Sequence, residues 1–311
     1  MRCVIVGDLH LAATPPGRRA EGYLGELWAM LREIGQIASD GACDAVIFVG
    51  DIFHHKAPNR TPYGLVKTLC QILDDYPPVY IVPGNHDLAN GTLESLSRQP
   101  LSVLAHQPNV AIVTGDAVIE VAGVRFGFVP GTGPVCDAEE SEHWRYAQDC
   151  DVLVAHAPVD FTSRPWKTIH PDELSLLCSV LVYGHQHDQA RVCKQSTETL
   201  KVVATGALAR GSITEADRLP CVLVMDDSEG PGNFHVDIVK LESALPSEAL
   251  YRWTELAVEK AGDASIQLFL GALSEASLAG FSSEGLVAHL RARSDVPSSV
   301  VRAAERILQS L

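Results

Sequence analysis

The sequence predicts an α/β fold: two mixed sheets packed face to face, flanked by helices, with a small helical appendage at the C-terminal end. Three observations carry that prediction. Short β-branched runs recur along the first 244 residues, and such runs read as strands buried on both faces. Over the first ninety residues they alternate with helical periodicity, which implies right-handed parallel crossovers. From about Leu245 the β-branched character fades into amphipathic stripes.

The first strand spans residues 3–6. After a loop holding Pro15, Pro16 and Gly17, the residues Leu24, Leu27, Leu31, Ile34 and Ile37 recur at helical spacing within residues 21–39. Val46-Ile47-Phe48-Val49 forms the second strand, and a polar loop with Pro58 and Pro62 leads to a helix over residues 63–73. Val79-Tyr80-Ile81-Val82 forms the third. Beyond Gly91, residues 110–113, 118–121 and 124–129 read as short strands separated by Gly115-Asp116 and Ala122-Gly123, a spacing that favours antiparallel hairpins. An Asp- and Glu-rich stretch over 131–148 reads as a mobile loop. Strands follow at 152–154 and 180–182, then at 200–204, 221–225 and 234–241. The expected organisation is a main domain at 1–244 and a helical tail at 245–311, the latter carrying stripes such as Leu268, Phe269, Ala272 and Leu273. That tail reads as a stabilising cap or as a docking surface.

Composition narrows the classes. A hydrophobic content of 46% is ordinary for a globular protein, and no apolar stretch approaches the roughly 20 residues that span a bilayer. Residues 3–6 are already strand-like, so no secretory signal is evident and a cytoplasmic setting is expected. The eight cysteines (Cys3, Cys43, Cys70, Cys136, Cys150, Cys178, Cys193 and Cys221) are dispersed without a CxxC pair. Buried free thiols explain them better than disulfides or a zinc knuckle. The net charge of −15 and the lack of a long Lys/Arg run argue against extensive wrapping of duplex DNA by this subunit alone. They leave room for a nuclease whose grip comes from metals, local cations or a partner.

The chemistry lies in five pieces: Asp8-Leu9-His10, Gly50-Asp51, Gly84-Asn85-His86-Asp87, His156, and Gly184-His185-Gln186-His187. Each closes a strand-like run, and loops leaving an open sheet at its strand ends line one crevice. Hydrolysis of a phosphate ester needs neutralised phosphoryl oxygens, an activated water and a stabilised leaving oxygen; two metal ions roughly 3.5–4 Å apart serve all three needs. Asp8 and His10, two apart in an extended segment, face the same side and can chelate one ion; His185 and His187 repeat that spacing. Asp51, preceded by a glycine, is the candidate bridge, and Asn85 offers an amide oxygen without charge. Mixed nitrogen and oxygen donors suit Mn²⁺, Fe or Zn²⁺ better than Ca²⁺ or Mg²⁺.

The full series, DxH, GD, GNH[DE], H and GHxH over residues 1–190, resembles the calcineurin-like metallophosphoesterases. The resemblance implies a four-layer αββα sandwich and two divalent ions, Mn²⁺ foremost with Fe or Zn²⁺ as alternatives. By it, Asp8, His10, Asp51 and His187 would hold one ion, and Asp51, Asn85, His156 and His185 the other. His86 matches the position proposed to protonate the leaving group, a role suited to imidazole. Asp87 would orient His86 or cap the following turn.

Within that superfamily, Gly50-Asp51-Ile52-Phe53-His54 resembles the GDxFH variant of SbcD-type DNA nucleases. By that match His54 would act near the nucleophile or the phosphate, with a plain surface histidine as the alternative, while His55 is read as solvent-exposed. The stretch ending Gly206-Ala207-Leu208-Ala209-Arg210 resembles the segment after the last SbcD motif, so Arg210 would contact a phosphate or pair with a local acid. The tail sits where SbcD-type nucleases dock on an SbcC-like ATPase, and such proteins are commonly dimeric. The implied activity is DNA exonuclease and endonuclease cleavage in repair or end processing. The alternatives are hydrolysis of cyclic nucleotides, nucleotides or phosphoproteins, and a non-catalytic scaffold, whose signature would be lost metal ligands. None is lost.

Overall fold

A computed structural model describes the chain apart from residues 18, 21, 116, 134–143, 145–148, 163–166, 195–199, 229, 231, 252–290, 292–300 and 302–311. The chain divides into two compact units, Met1–Leu250 and Tyr251–Leu311. The predicted tail helices lie almost wholly outside the described residues, as does most of the acidic stretch 131–148.

Along the first unit the strands are β1 (Arg2–Val6), β2 (Ala45–Phe48), β3 (Val79–Ile81), β4 (Val110–Ile112), β5 (Ile119–Val121), β6 (Val124–Val129), β7 (Val152–His156), β8 (Val180–Gly184), β9 (Arg191–Lys194), β10 (Lys201–Ala204), β11 (Cys221–Asp226) and β12 (His235–Lys240). They form two six-stranded sheets, ordered β12-β11-β1-β2-β3-β4 and β5-β6-β7-β8-β10-β9. β1 to β4 are mutually parallel, and β11 and β12 add an antiparallel edge. In the second sheet β6, β7, β8 and β10 are parallel, with β5 and β9 antiparallel at the two edges. Both sheets are therefore mixed, as the sequence predicts.

The helix α1 (Tyr23–Asp40) and the helix α2 (Tyr63–Leu73) cover the first sheet. Strand side chains alternate between faces, so each strand feeds two layers. Val4, Val6, Val46 and Phe48 pack with Leu27, Leu31, Ile34 and Leu69 of the helices. Their neighbours Cys3, Ile5, Ala45 and Ile47 meet Val152, Val154, Val180 and Val182 between the sheets. On the far face of the second sheet, Leu153, Leu181 and Tyr183 pack under Trp144, Val159, Ile169 and Leu174. Each such fully buried aliphatic side chain contributes roughly 1.5–3 kcal/mol, which is why a one-residue slip of any central strand is not tolerated.

One sequence expectation is corrected here, and one strand is added to those expected. β4 does not pair with β5; it joins β3 in parallel, because a four-residue helix, α3 (Leu101–Leu104), makes the intervening segment a crossover. The hairpin that does form is β5–β6, turned at Ala122 and Gly123, both with positive φ (46° and 84°). β9 went unforeseen, since Arg191-Val192-Cys193-Lys194 is an edge strand with a polar, unremarkable composition. Among the described cysteines five (Cys3, Cys43, Cys150, Cys178 and Cys221) are buried, and Cys70 and Cys193 are half-buried. No helix among the described residues is long and apolar enough to cross a membrane.

Candidate metal centre

The parallel strands of both sheets deliver their polar residues to one crevice. Asp8 follows β1, Asp51 follows β2, Asn85 follows β3, His156 ends β7 and His185 follows β8. The loops are then tied to one another. The backbone N–H groups of Leu9 and His10 donate to the Asp51 carbonyl at 3.1 and 2.8 Å. Tyr23 donates its hydroxyl to the His10 carbonyl at 2.8 Å. A Cβ on Gly84 would stand 2.2 Å from the Asp51 carboxylate oxygen Oδ1 and 2.1 Å from its backbone nitrogen, so only glycine lets these loops close. His10, Asp51 and His185 all carry positive φ, at 46°, 48° and 81°. Non-glycine residues pay about 1–3 kcal/mol for such backbone, and it persists where surrounding structure over-determines it.

The seven predicted ligands fall into two groups of donors, and a third set of ring nitrogens, from His10, His54 and His86, also lies within 4.8 Å of one another. In the first, His10 Nε2 and His187 Nε2 lie 3.0 Å apart, with Asp8 Oδ2 3.2 Å from His187 Nε2. In the second, Asn85 Oδ1 lies 2.8 Å from His185 Nδ1 and 3.1 Å from His156 Nε2. Asp51 joins them: Oδ2 is 3.5 Å from His10 Nε2 and Oδ1 is 3.5 Å from His156 Nε2. Ligands held about 2.1 Å from a common ion, at tetrahedral or octahedral angles, stand about 3.0–3.4 Å from each other. The separations observed are of that size, and the nitrogen–oxygen mixture fits a divalent transition ion. All seven side chains singled out from sequence thus converge, with Asp51 spanning the two groups as the predicted bridge would.

The electrostatics point the same way. Asp8 and Asp51 are 0% and 2% exposed, and buried carboxylates need nearby positive charge. Burial pushes Asp51 up, and the adjacent Asp8 adds to that. Burial also acts on Asp8, but the His187 hydrogen bond and the neighbouring imidazoles hold it below its ordinary value. His187 is pushed up to about 10 despite burial, because Asp8 and Glu215 both bond to it. His185 is pushed down to about 4 by burial and by His156. The proton favoured on His187 is the charge that a cation would replace, since metal ligands bind deprotonated.

The remaining predicted residues separate. His86 donates Nδ1–H to the His54 backbone carbonyl at 2.6 Å, which leaves Nε2 available, and its ring centroid is 4.8 Å from that of His10. His54 stacks on His86 with centroids 5.7 Å apart and lies 5.5 Å from His10. Burial and the adjacent His55 push it down to about 4. His55 is half-buried, not fully exposed. Asp87 does not orient the His86 ring. Its carboxylate accepts the backbone N–H groups of Ile52, Phe53 and Gly84 at 3.2, 3.0 and 2.9 Å, pinning the loop after β2 to the loop after β3. Burial, and Asp51 behind it, push Asp87 up to about 7.

Arg210 takes the local-acid alternative. It is 3% exposed, pairs with buried Glu26 of α1 and donates to the Leu245 carbonyl at 2.6 Å, so its guanidinium is committed away from a phosphate. Glu26 also binds Arg19, and the sequence gives no warning of this triad beyond an acid on the apolar side of a helix. The other residue missed is Glu215, whose Oε1 accepts from His187 Nδ1 at 2.7 Å. Its signal was the Ser212-Ile213-Thr214-Glu215 capping pattern.

A family model described as calcineurin-like phosphoesterase matches residues 1–189, more than half of the 311. No curated protein matches. Among solved structures, one described as a novel archaeal phosphodiesterase aligns over 77% of this chain and 100% of its own, with 14% identity and a TM-score of 0.41. A likeness that slight says nothing of substrate.

Proposed function

The chain belongs to the calcineurin-like phosphoesterases, and on that premise we propose that it is a dinuclear-metal-dependent DNA nuclease of the SbcD type, working as exonuclease and endonuclease in repair or end processing. The observation that supports this reading is the placement of His54, the last residue of the GDxFH motif, against both His86 and His10. Beyond it opens a cavity of about 680 Å³ walled by His55, Lys56 and Arg60. That is a local cationic surface on an acidic chain, placed where a phosphate backbone would leave the centre.

Asp8, His10, Asp51 and His187 would hold one divalent ion and Asp51, Asn85, His156 and His185 the other, with Mn²⁺ proposed and Fe or Zn²⁺ as alternatives. When bound, such a pair neutralises phosphoryl oxygens and acidifies water for in-line attack. His86, fixed through Nδ1 by the His54 carbonyl, is placed to hand a proton from Nε2 to the departing 3′-oxygen. Asp87 keeps that loop against the loop of Asp51. Residues 245–311 are proposed to dock an SbcC-like ATPase, and the subunit to pair as a homodimer in the cytoplasm.

Incubation with Mn²⁺ and either labelled linear duplex or bis-p-nitrophenyl phosphate tests the reading. Release of nucleotides from DNA is expected, and His54→Ala is expected to lower DNA cleavage about 10-fold or more beyond its effect on the small ester. Turnover of the ester with intact DNA would overturn it. That outcome would favour a cyclic-nucleotide, nucleotide or phosphoprotein substrate, a reading which the net charge of −15 also favours.

A further inference from the structure

Glu215 lies outside all five sequence motifs, in the short helical turn Ile213–Glu215 that follows β10. Its own position is set by backbone: Oε2 accepts the Ser212 N–H at 2.8 Å, and Ser212 returns the bond to the turn as a capping box. So held, Oε1 faces His187 Nδ1 at 2.7 Å, while the same ring presents Nε2 to Asp8 Oδ2 at 3.2 Å and to His10 Nε2 at 3.0 Å. A carboxylate behind a ligating imidazole selects the tautomer with Nε2 bare, fixes the ring plane and makes the nitrogen a better donor. The other donor group is backed differently. His156 gives its Nδ1 to the neutral carbonyl of Val49 at 2.7 Å. The two cation positions therefore differ in what stands behind their histidines.

We propose that Glu215 is a positioning residue that sets the affinity of the Asp8–His10–His187 cation position, acting through His187, and leaves the Asn85–His156–His185 position to its neutral backing. This rests on the two-cation reading above. It also accounts for the turn at 212–215 being built so tightly against the centre: Glu215 lines, together with His187, both a cavity of about 340 Å³ on the His10 and His86 side and one of about 650 Å³ on the Gln186 side. A side chain between two open spaces needs a fixed anchor to hold one geometry, and the Ser212 backbone N–H, which does not depend on the Ser212 side chain, supplies it.

The test is Mn²⁺ binding to the full chain, by calorimetry and by electron paramagnetic resonance, which separates isolated from spin-coupled Mn²⁺. Wild type is expected to take two ions. In Glu215→Gln the amide can satisfy only one of the two bonds, and one of the two sites is expected to weaken about 10- to 100-fold, with the other within about threefold. At one equivalent the variant should show isolated Mn²⁺, with coupling restored at excess. Ser212→Ala removes the cap and keeps the carboxylate, and is expected to bind both ions within about threefold of wild type. Two wild-type affinities in Glu215→Gln would overturn the proposal and spare the two-cation reading. Joint weakening of both sites, or a matching loss in Ser212→Ala, would also overturn it, as marks of a structural role. Fewer than two ions in wild type would overturn both.

Discussion

His86 and Glu26 show how differently two polar side chains serve one crevice. His86 contributes no donor to either group of ligands, yet its ring stands beside His10 and is aimed by a backbone carbonyl. His86→Ala is expected to lower turnover about 10²–10⁴-fold, while Mn²⁺ stoichiometry stays at that of wild type; activity that survives would exclude it as the proton donor. Glu26 is buried, 5% exposed. It binds Arg19 and Arg210, and its Oε1 accepts the Leu245 N–H at 3.1 Å, all within the core beside the crevice. Glu26→Ala removes the buried carboxylate that Arg19 and Arg210 share and is expected to destabilise the protein by about 3–5 kcal/mol. Thermal unfolding measures this, and a loss below about 1 kcal/mol would show that water reaches the triad.

Helix α1 is the element that ties the sheet core to the chain beyond β12. Glu33 on this helix accepts the N–H groups of Glu242 and Ser243 at 2.7 and 2.9 Å, with the Ser243 hydroxyl as a further donor. Burial opposes ionisation there, but those bonds hold Glu33 below its ordinary value. A depressed carboxyl stabilises the fold above its unfolded pKa of about 4.3 and loses that contribution as pH falls through the folded value. Glu33→Gln is thus expected to cost roughly 0.5–1 kcal/mol at pH 7, discounted for partial exposure. The gap from wild type should close below about pH 4, and a gap independent of pH would contradict the assignment. Elements of this kind were legible unevenly. Val46-Ile47-Phe48-Val49 announces a buried strand by itself, and the helix over residues 21–39 was readable from its stripe of Leu24, Leu27, Leu31, Ile34 and Ile37. The partner of β4 was not, because α3 is too short to show periodicity. The convergence of the seven candidate ligands was readable because each is a polar residue at the end of an apolar run. The roles of Asp87 and the His54 carbonyl were not, because they act through backbone groups that sequence does not distinguish.

Across the whole molecule, the acidity of the chain and the chemistry of the crevice are one problem. Asp8, Asp51 and Asp87 are each no more than 2% exposed, and they sit at the meeting of two sheets whose parallel strands aim loops at the same place. Such a concentration of buried carboxylate is costly without cations, and the imidazoles around it bring their ring nitrogens within 4.8 Å of the carboxylate oxygens in two sets, Asp8–His10–His187 and Asp51–His156–His185. Asp51 stands between the two sets of donors, each of which draws residues from both sheets. Its two oxygens face different histidines, His10 and His156, at equal distance. The most direct measurement is an anomalous difference map at the manganese edge from crystals grown with Mn²⁺. Two peaks about 3.5–4 Å apart, one near each Asp51 oxygen, are expected; a single peak, or two that do not share Asp51, would contradict the account.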